Sequence, residues 1–385
     1  MNVLYLVHDL ADSAVRKRIK MLKAGNATVS VAGFVREQSS GAVDIEGCQP
    51  IVLGTTRDGK FGDRVLKVLF SRSVTQLHNQ KYDVIIARNL EMLALARRVT
   101  FSSRSATRIV YECLDIHRIM LNQGTLGKFA RAVERWLLRS TSMLITSSPA
   151  YLTNYFKPKQ QLTKPVLLVE NKVLDLEQND ATAVTERNSS AAPAWRIGWF
   201  GILRCRKSLA ILSAFSRMMD GKVQVVLRGK PAYQEFDNFD AEVAAEPYLS
   251  FEGAYKSPED LKSIYEDVDF IWAIDFFEEG LNSSWLLPNR IYEGCRYGRV
   301  PIAVNGTETA NFLKNSAIGL TVKEATPEVL RDIFSQITPL DADKLKQRVQ
   351  QSDPRKFTFT KASCSSLVDE ISKERTGSAQ ITILE

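Results

Sequence analysis

The stretch "LLPNRIYEGCRYGRVPIAV" (residues 286–304) holds one unit of the pattern from which the rest of the chain is built. Pro288 fixes φ and lacks an N–H, so it suits the start of a helix. Gly298 suits its termination, and "VPIAV" (300–304) then reads as a buried strand. Asn289, Arg290, Glu293 and Arg296 lie three or four residues apart, which predicts that they share one face near the helix N-terminus. Backbone N–H groups gather at such an end and favour anions. A glutamate beside a bound phosphate would be repelled, so Glu293 is suited to neutral hydroxyls, such as those of a ribose.

Outward from this stretch, strands alternate with helices twice over, the pattern of doubly wound α/β domains. The first half opens with "NVLYLV", a helix capped near Asp12 or Ser13 and ended by Gly25, and then "VSVAGF". Further strands are expected at "DVIIA" (83–87), "RIVYE" (108–112), "SMLIT" (142–146) and "VLLVE" (166–170). Each ends in polar residues: His8-Asp9, Arg88-Asn89, Asp115 to His117, Ser147-Ser148 and Asn171. Ligands of open parallel sheets bind outside the carboxyl ends of the strands, which predicts that these tips line one cleft. The alternation restarts at "WRIGWF" and continues through "SLAILSAFSRMM", "VQVVL", "LSFEG" and "DFIWAI". Two more helices are expected, one N-capped by Ser257 with Pro258 at its first position and one starting at "TPEVL" (326–330).

Residues 178–194, "QNDATAVTERNSSAAPA", lose hydrophobic periodicity and read as a linker. The expected domains are therefore 1–177 and 195–352. Residues 353–385 carry a final helix, and the closing "ERTGSAQITILE" has no evident role.

Composition agrees with two globular domains: 385 residues, 44% hydrophobic and 25% charged. The formal charge of +7, from 51 Lys+Arg against 44 Asp+Glu, favours anionic partners. Five dispersed cysteines without a C-x-x-C pair argue for reduced thiols, and against a zinc site or a disulfide framework. "MNVLYLVHDL" is too short for a signal h-region, and no apolar run approaches a bilayer span, so a cytoplasmic protein is expected. Nucleic acid is not an expected partner, because no RRM, helix-turn-helix or zinc pattern is present.

The second half enters through "WRIGWFGILRCRKSL" (195–209), a strand and a glycine followed by Arg204, Arg206 and Lys207. Glycine permits close backbone approach, and cations ahead of a helix suit a diphosphate; a turn with a solvated basic surface has the same spacing. This entry and "LPNRIYEGCRYGRVPIAV", in this order, resemble the two signatures of the C-terminal domain in GT-B glycosyltransferases, family 4-like, of bacterial exopolysaccharide (succinoglycan-type) biosynthesis. The opening 31 residues or so resemble the same enzymes, so the likeness spans most of the chain. It implies an α/β GT-B fold, two Rossmann-like doubly wound domains facing a central cleft, with the last helix returning to the first domain. It also implies transfer of a sugar from a nucleotide-diphosphate sugar, a UDP-sugar above all, to a hydroxyl acceptor, a lipid-linked saccharide or oligosaccharide. Carried over, Arg204 and Lys207 hold diphosphate, Gly201 lets the backbone approach, and Glu293 holds ribose, with Asn289 and Arg290 beside them. No Asp-x-Asp metal signature stands out, and neither metal nor cofactor is expected.

The chain departs from that family at one position. Where many members carry a first glutamate eight residues before the second, Trp285 stands here; that role passes to Glu279, to Asn282, Ser283 and Ser284, or to no residue. In the first half Asp115 and His117 are candidates for general base or for orienting the acceptor. His8, Asp9, Arg88 and Asn89 are candidates for the acceptor side. Ordinary loop caps and hydrogen-bonded structural residues occupy such places too. Two basic amphipathic segments, 59–72 and 127–140, suit either an anionic membrane surface or packing on their own sheet. In the second, Phe129, Val133, Trp136 and Leu137 form the expected apolar stripe beside Arg131, Arg135 and Arg139. Two other functions share the sequence features: a GT-B-type nucleotide-sugar epimerase, and a catalytically silent binding or membrane-docking subunit.

Overall fold

The computed structural model describes residues 1–36, 45–56, 76–77, 81–103, 107–177, 194–374 and 380–384. The chain forms two compact units, Met1–Glu170 with Leu174–Leu176 and Phe359–Glu385, and Asn171–Val173 with Glu177–Thr358. The basic segment 59–72 and all but the last residue of the 178–194 stretch lie outside the described residues.

The first unit is built on β1 (Asn2–Val7), β2 (Thr28–Arg36), β3 (Ile51–Thr56), β4 (Val84–Arg88), β5 (Arg108–Cys113), β6 (Met143–Thr146) and β7 (Val166–Leu168). After β8 (Val173–Leu174), the second unit uses β9 (Trp195–Leu203), β10 (Val223–Pro231), β11 (Leu249–Phe251), β12 (Phe270–Trp272), β13 (Val300–Val304) and β14 (Leu320–Val322). β15 (Thr358–Phe359) pairs with β8, and β16 (Ile381–Ile383) joins the first sheet. The sheet orders are β16-β7-β6-β5-β4-β1-β2-β3 and β11-β10-β9-β12-β13-β14, every neighbour parallel. In each, the chain winds outward from its first strand and then returns to that strand's other side. The reversal lies between β1 and β4 in one unit and between β9 and β12 in the other, and such switch points are where open α/β sheets bind ligands.

Parallel strands covered on both faces need near-continuous apolar runs. Val3 to Val7, Val84 to Ala87 and Met143 to Ile145 are such runs, all buried. Val3, Tyr5, Val7 and Val110 form a core with residues of the helices Ser13–Ala24 and Lys361–Ser372. The second core gathers Trp199, Leu212, Phe215, Trp272 and Phe334.

Three local expectations need correcting, and Gly25 ends its helix as expected. Ser257 does not cap a helix: Asp260 closes a turn, its side chain accepting from the Lys256 N–H (2.7 Å), and the helix runs from Leu261 to Glu266. The closing residues have a place, since β16 extends the first sheet beside β7. Gly25 ends its helix at an ordinary negative φ, and what demands a glycine is packing: a Cβ there would stand 2.3 Å from the Cys364 carbonyl oxygen. β9 continues past Gly201 to Leu203, and the following helix, Arg206–Met218, already contains Arg206 and Lys207 in its first turn.

Candidate functional site

In the second unit, β9 and β10 come together at two glycines. Gly229, with φ +131°, has no room for a Cβ, which would fall 1.8 Å from the Gly201 carbonyl oxygen. Gly201, with φ +113°, faces open space instead. Its conformation disfavours side chains and leaves the backbone bare on that side, two residues before β9 ends at Leu203.

Arg204 follows at once. Its Nη2 lies 3.5 Å from Asp275 Oδ2, and its guanidinium sits 4.5 Å from the centre of the Phe277 ring. Lys207 Nζ donates to both Glu279 oxygens, at 2.7 and 2.8 Å, and stands 4.5 Å from the Phe276 ring centre. Asp275 to Glu279 is the loop beyond β12, so the two cations bridge the strands that flank the switch point. Arg290 approaches from the helix Asn289–Arg296, where it is buried and donates to the Ile274 carbonyl oxygen at 3.0 Å. Its Nε is buried without a hydrogen-bond partner. Burial pulls this guanidinium below its ordinary value while Asp275 supports the charge, and Arg204 pulls it down further. An additional anion is the natural counterpart of such a cluster.

The face expected for this helix divides. Asn289 is exposed, Arg290 is turned inward, and Glu293 and Arg296 are half-buried. Glu293 Oε2 accepts from the Tyr265 hydroxyl at 2.8 Å. Tyr265 stacks on Tyr297 with ring centres 5.9 Å apart. Burial, then the Glu293 carboxylate, raises both the Tyr265 and the Tyr255 phenols. Ser283 and Ser284 lie on a short 3-10 turn, half-buried, after the buried Asn282.

In the first unit, Arg88 at the end of β4 points into the fold. It donates to Asp12 Oδ2 at 3.1 Å and to the Tyr5 hydroxyl at 3.2 Å. Below it the buried Glu112 accepts from Arg18 Nε at 2.6 Å and from the Tyr5 hydroxyl. Burial alone would raise the Glu112 carboxyl, but Arg18 and Arg88 outweigh it and hold it below the ordinary range. Asp9 is buried, with Oδ1 accepting from the Ala11 N–H at 2.9 Å. His8 and Asn89 are half-buried at the tips of β1 and β4, His8 Nδ1 and Asn89 Nδ2 being 3.1 Å apart. Asp115 is exposed beyond β5, and its Oδ1 accepts from the Ile116 N–H at 2.8 Å and the Tyr151 hydroxyl at 3.3 Å. His117 caps the short helix Arg118–Leu121, with Nδ1 accepting from the Ile119 N–H at 3.3 Å.

Of the chain's two Asp-x-Asp triplets, 267–269 is engaged in the fold through both aspartates and 341–343 through Asp341. Asp267 pairs with Arg196 at 2.6 Å and Asp269 with Lys346 at 2.9 Å, while Asp341 closes the capping box of Thr338. Among the described residues no cluster of three His, Cys, Asp or Glu is placed to hold a metal ion.

No protein-family profile matches the chain. It is 49% identical over 378 residues to the succinoglycan biosynthesis protein ExoL of Rhizobium meliloti (strain 1021), covering 96% of this chain and 93% of that relative. The chain belongs to the ExoL family. In fold, this ExoL-family chain is similar to Anabaena Alr3699/HepE, solved in complex with UDP and glucose (TM-score 0.66, 16% identity, 96% of this chain and 98% of the other). It is likewise similar to sucrose-phosphate synthase from Thermosynechococcus elongatus (TM-score 0.69, 14% identity, 96% and 98%). Two doubly wound units in this order, over nearly the whole length of both neighbours, make the fold GT-B.

Four residues of these clusters in the ExoL-family chain, Asp275, Tyr255, Tyr265 and Glu112, lie outside the set expected from the sequence. Asp275 is detectable as the polar residue directly after "DFIWAI", and Glu112 as a charge inside the strand "RIVYEC". The tyrosines carry no local signal, because their role depends on Glu293, 28 residues beyond Tyr265.

Proposed function

We propose that the protein is a glycosyltransferase that moves a sugar from a UDP-sugar to a hydroxyl of a saccharide acceptor in exopolysaccharide assembly. The observation that carries this reading is the meeting of Arg204, Lys207 and Arg290 at the β9/β12 switch point, with Glu293 on the same helix as Arg290. The succinoglycan role of the ExoL relative and the UDP and glucose bound by the Anabaena neighbour support it. Gly201 admits the diphosphate to the backbone, and Arg204 and Lys207 exchange Asp275 and Glu279 for phosphate oxygens. Glu293, oriented by Tyr265, accepts from ribose hydroxyls, with Asn289 and Asn282 to Ser284 lining the same donor region. The acceptor oxygen attacks the anomeric carbon as its bond to the diphosphate oxygen breaks, and the fixed cations stabilise the charge that develops on the leaving group. Turnover is expected without added divalent metal.

Asp115 and His117 differ in what they offer the acceptor. A neutral imidazole that accepts at Nδ1 carries its proton on Nε2, so His117 is a donor that orients, and Asp115 is the candidate base. The test is transfer of labelled sugar from a UDP-sugar to the lipid extract of cells lacking this protein. Lys207→Ala should lower kcat about 100-fold; wild-type transfer unchanged by Lys207→Ala would contradict the assignment.

The acceptor is a lipid-linked saccharide, and the protein meets it at an anionic membrane surface. No helix among the described residues is long and apolar enough to cross a membrane. The helix Thr125–Leu138 buries Glu134, Leu137 and Leu138 against its own unit, so Leu137 leaves the expected stripe. Its outer face shows Leu126, Phe129 and Trp136, at 61%, 68% and 58% exposure. Lys128 on the same helix and Arg139 directly after its end are exposed. Arg131 and Arg135 are tied back to the Met120, Asn122 and Lys159 carbonyl oxygens. Apolar side chains ringed by cations match acyl chains beneath anionic headgroups.

A further inference from the structure

In the second unit two cations at the switch point are occupied by the chain's own carboxylates, and the two pairs are unlike. Asp275 is anchored twice: its side chain is largely buried, Oδ1 accepts from the Phe277 N–H at 2.8 Å, and Oδ2 lies 3.5 Å from Arg204. Glu279 has a single anchor. Among the described residues Lys207 is the one partner of its carboxylate, both oxygens accepting from Nζ at 2.7 and 2.8 Å. The pair stands half in solvent, with side-chain exposures of 50% for Lys207 and 55% for Glu279, so breaking it costs little.

The surroundings let the carboxylate leave and keep the ammonium in place. Phe276 packs against the core of the unit, and Lys207 Nζ stands 4.5 Å from its ring centre, a contact independent of Glu279. Glu279 rides on a turn, its N–H donating to the Phe276 carbonyl oxygen at 3.1 Å and the Leu281 N–H to that of Glu278 at 2.9 Å. Gly280, with φ +80° and open space where a Cβ would be, follows it directly. The tether keeps the carboxylate near Lys207 at high effective concentration, with or without a ligand.

Lys207 cannot serve a diphosphate and this carboxylate together without bringing like charges into contact. A donor binds only the fraction of molecules from which Glu279 has swung away, and its apparent affinity falls by that fraction. Transfer sharpens the conflict. Once the bond to the anomeric carbon breaks, the outer phosphate is a free end that takes a further negative charge near neutral pH.

We infer that Glu279 is a built-in competitor for Lys207: the donor displaces it, and its return helps expel the nucleoside diphosphate left after transfer. The inference rests on the transferase reading and adds to it the regulation of product release at the same site.

The test is the Kd of UDP, by titration calorimetry on the full chain, for wild type, Glu279→Gln and Glu278→Gln. Glu279→Gln should bind UDP about threefold tighter, a factor that an exposed ion pair can withhold. UDP should inhibit transfer by this variant at a correspondingly lower concentration. Glu278→Gln removes the same charge one residue away and should leave the Kd near wild type. Equal Kd in wild type and Glu279→Gln overturns the competitor while the donor site stands. Weaker binding by Glu279→Gln overturns it too, since Glu279 would then be a donor contact. Equal tightening in both variants overturns it as well, because the effect would be one of net charge and not of Lys207. A wild-type protein that binds no UDP overturns the donor site, and this inference with it.

Discussion

Glu134 shows how much of a residue's chemistry is set by distant partners. Its carboxyl is sealed inside the first unit, where Oε1 accepts from the Tyr111 hydroxyl at 2.8 Å and Oε2 from the Tyr155 hydroxyl and Gln160 Nε2, both at 2.6 Å. Burial pushes it up from 4.5 to about 7, against the pull of those three donors. Between these values the folded protein holds a proton that the unfolded chain releases, so stability falls as pH rises from about 4.5 to 7 and then levels. The loss is on the order of 3 kcal/mol. Urea unfolding at pH 5 and pH 7.5 should show this decline in the wild type and its absence in Glu134→Gln; parallel behaviour of the two proteins would mean that Glu134 is ionised throughout. The sequence places Glu134 on an amphipathic segment but says nothing of Tyr111 or Tyr155, over 20 residues away on either side. Arg204, Lys207 and Glu293, by contrast, are legible because each follows a local signal: a glycine-bearing strand end or a proline-started helix. The inward turn of Arg290 and the Tyr265 bond to Glu293 are tertiary facts, invisible to periodicity.

Elements were legible where burial and capping are local. The helix Ser13–Ala24 begins after Asp12, whose Oδ1 accepts from the Ala14 N–H at 2.9 Å. The helix Pro327–Gln336 begins after Thr326 with proline in its first turn. The failures come where a remote segment decides. β16 exists because an edge of the first sheet accepts it, and the Asp260 turn displaces the helix start expected after Ser257. The helix Thr125–Leu138 sits between these cases, since periodicity shows one apolar stripe and only packing says which of its residues are covered. Its outer face carries a prediction. The protein should bind phosphatidylglycerol-containing vesicles in flotation, less so at high salt, and Phe129→Ser with Trp136→Ser should weaken binding about tenfold, as expected for removing two interfacial anchors at over 1 kcal/mol together. Equal binding to neutral phosphatidylcholine vesicles, or none to either, would remove the membrane reading.

At the scale of the whole molecule, the alternation of strands and helices announces two doubly wound units, because parallel sheets impose apolar strands with amphipathic helices between them. What it does not announce is how the chain divides, since the last long helix, Lys361–Ser372, packs on Ser13–Ala24 at the opposite end of the sequence. The contact is close enough that Gly25 has no room for a side chain. The switch point of the second unit gathers the cations Arg204 and Arg290, and the donor is proposed to bind there. The measurement that tests the donor assignment most directly is thermal unfolding of the purified protein with UDP-, GDP- and dTDP-sugars, beside Glu293→Ala. At about 100 times Kd a bound donor adds roughly 2.7 kcal/mol to the folded state. A UDP-sugar should raise the unfolding temperature of the wild type, with little effect on Glu293→Ala. An equal shift in both proteins would contradict the assignment of Glu293, and no shift with any nucleotide sugar would contradict the donor site itself.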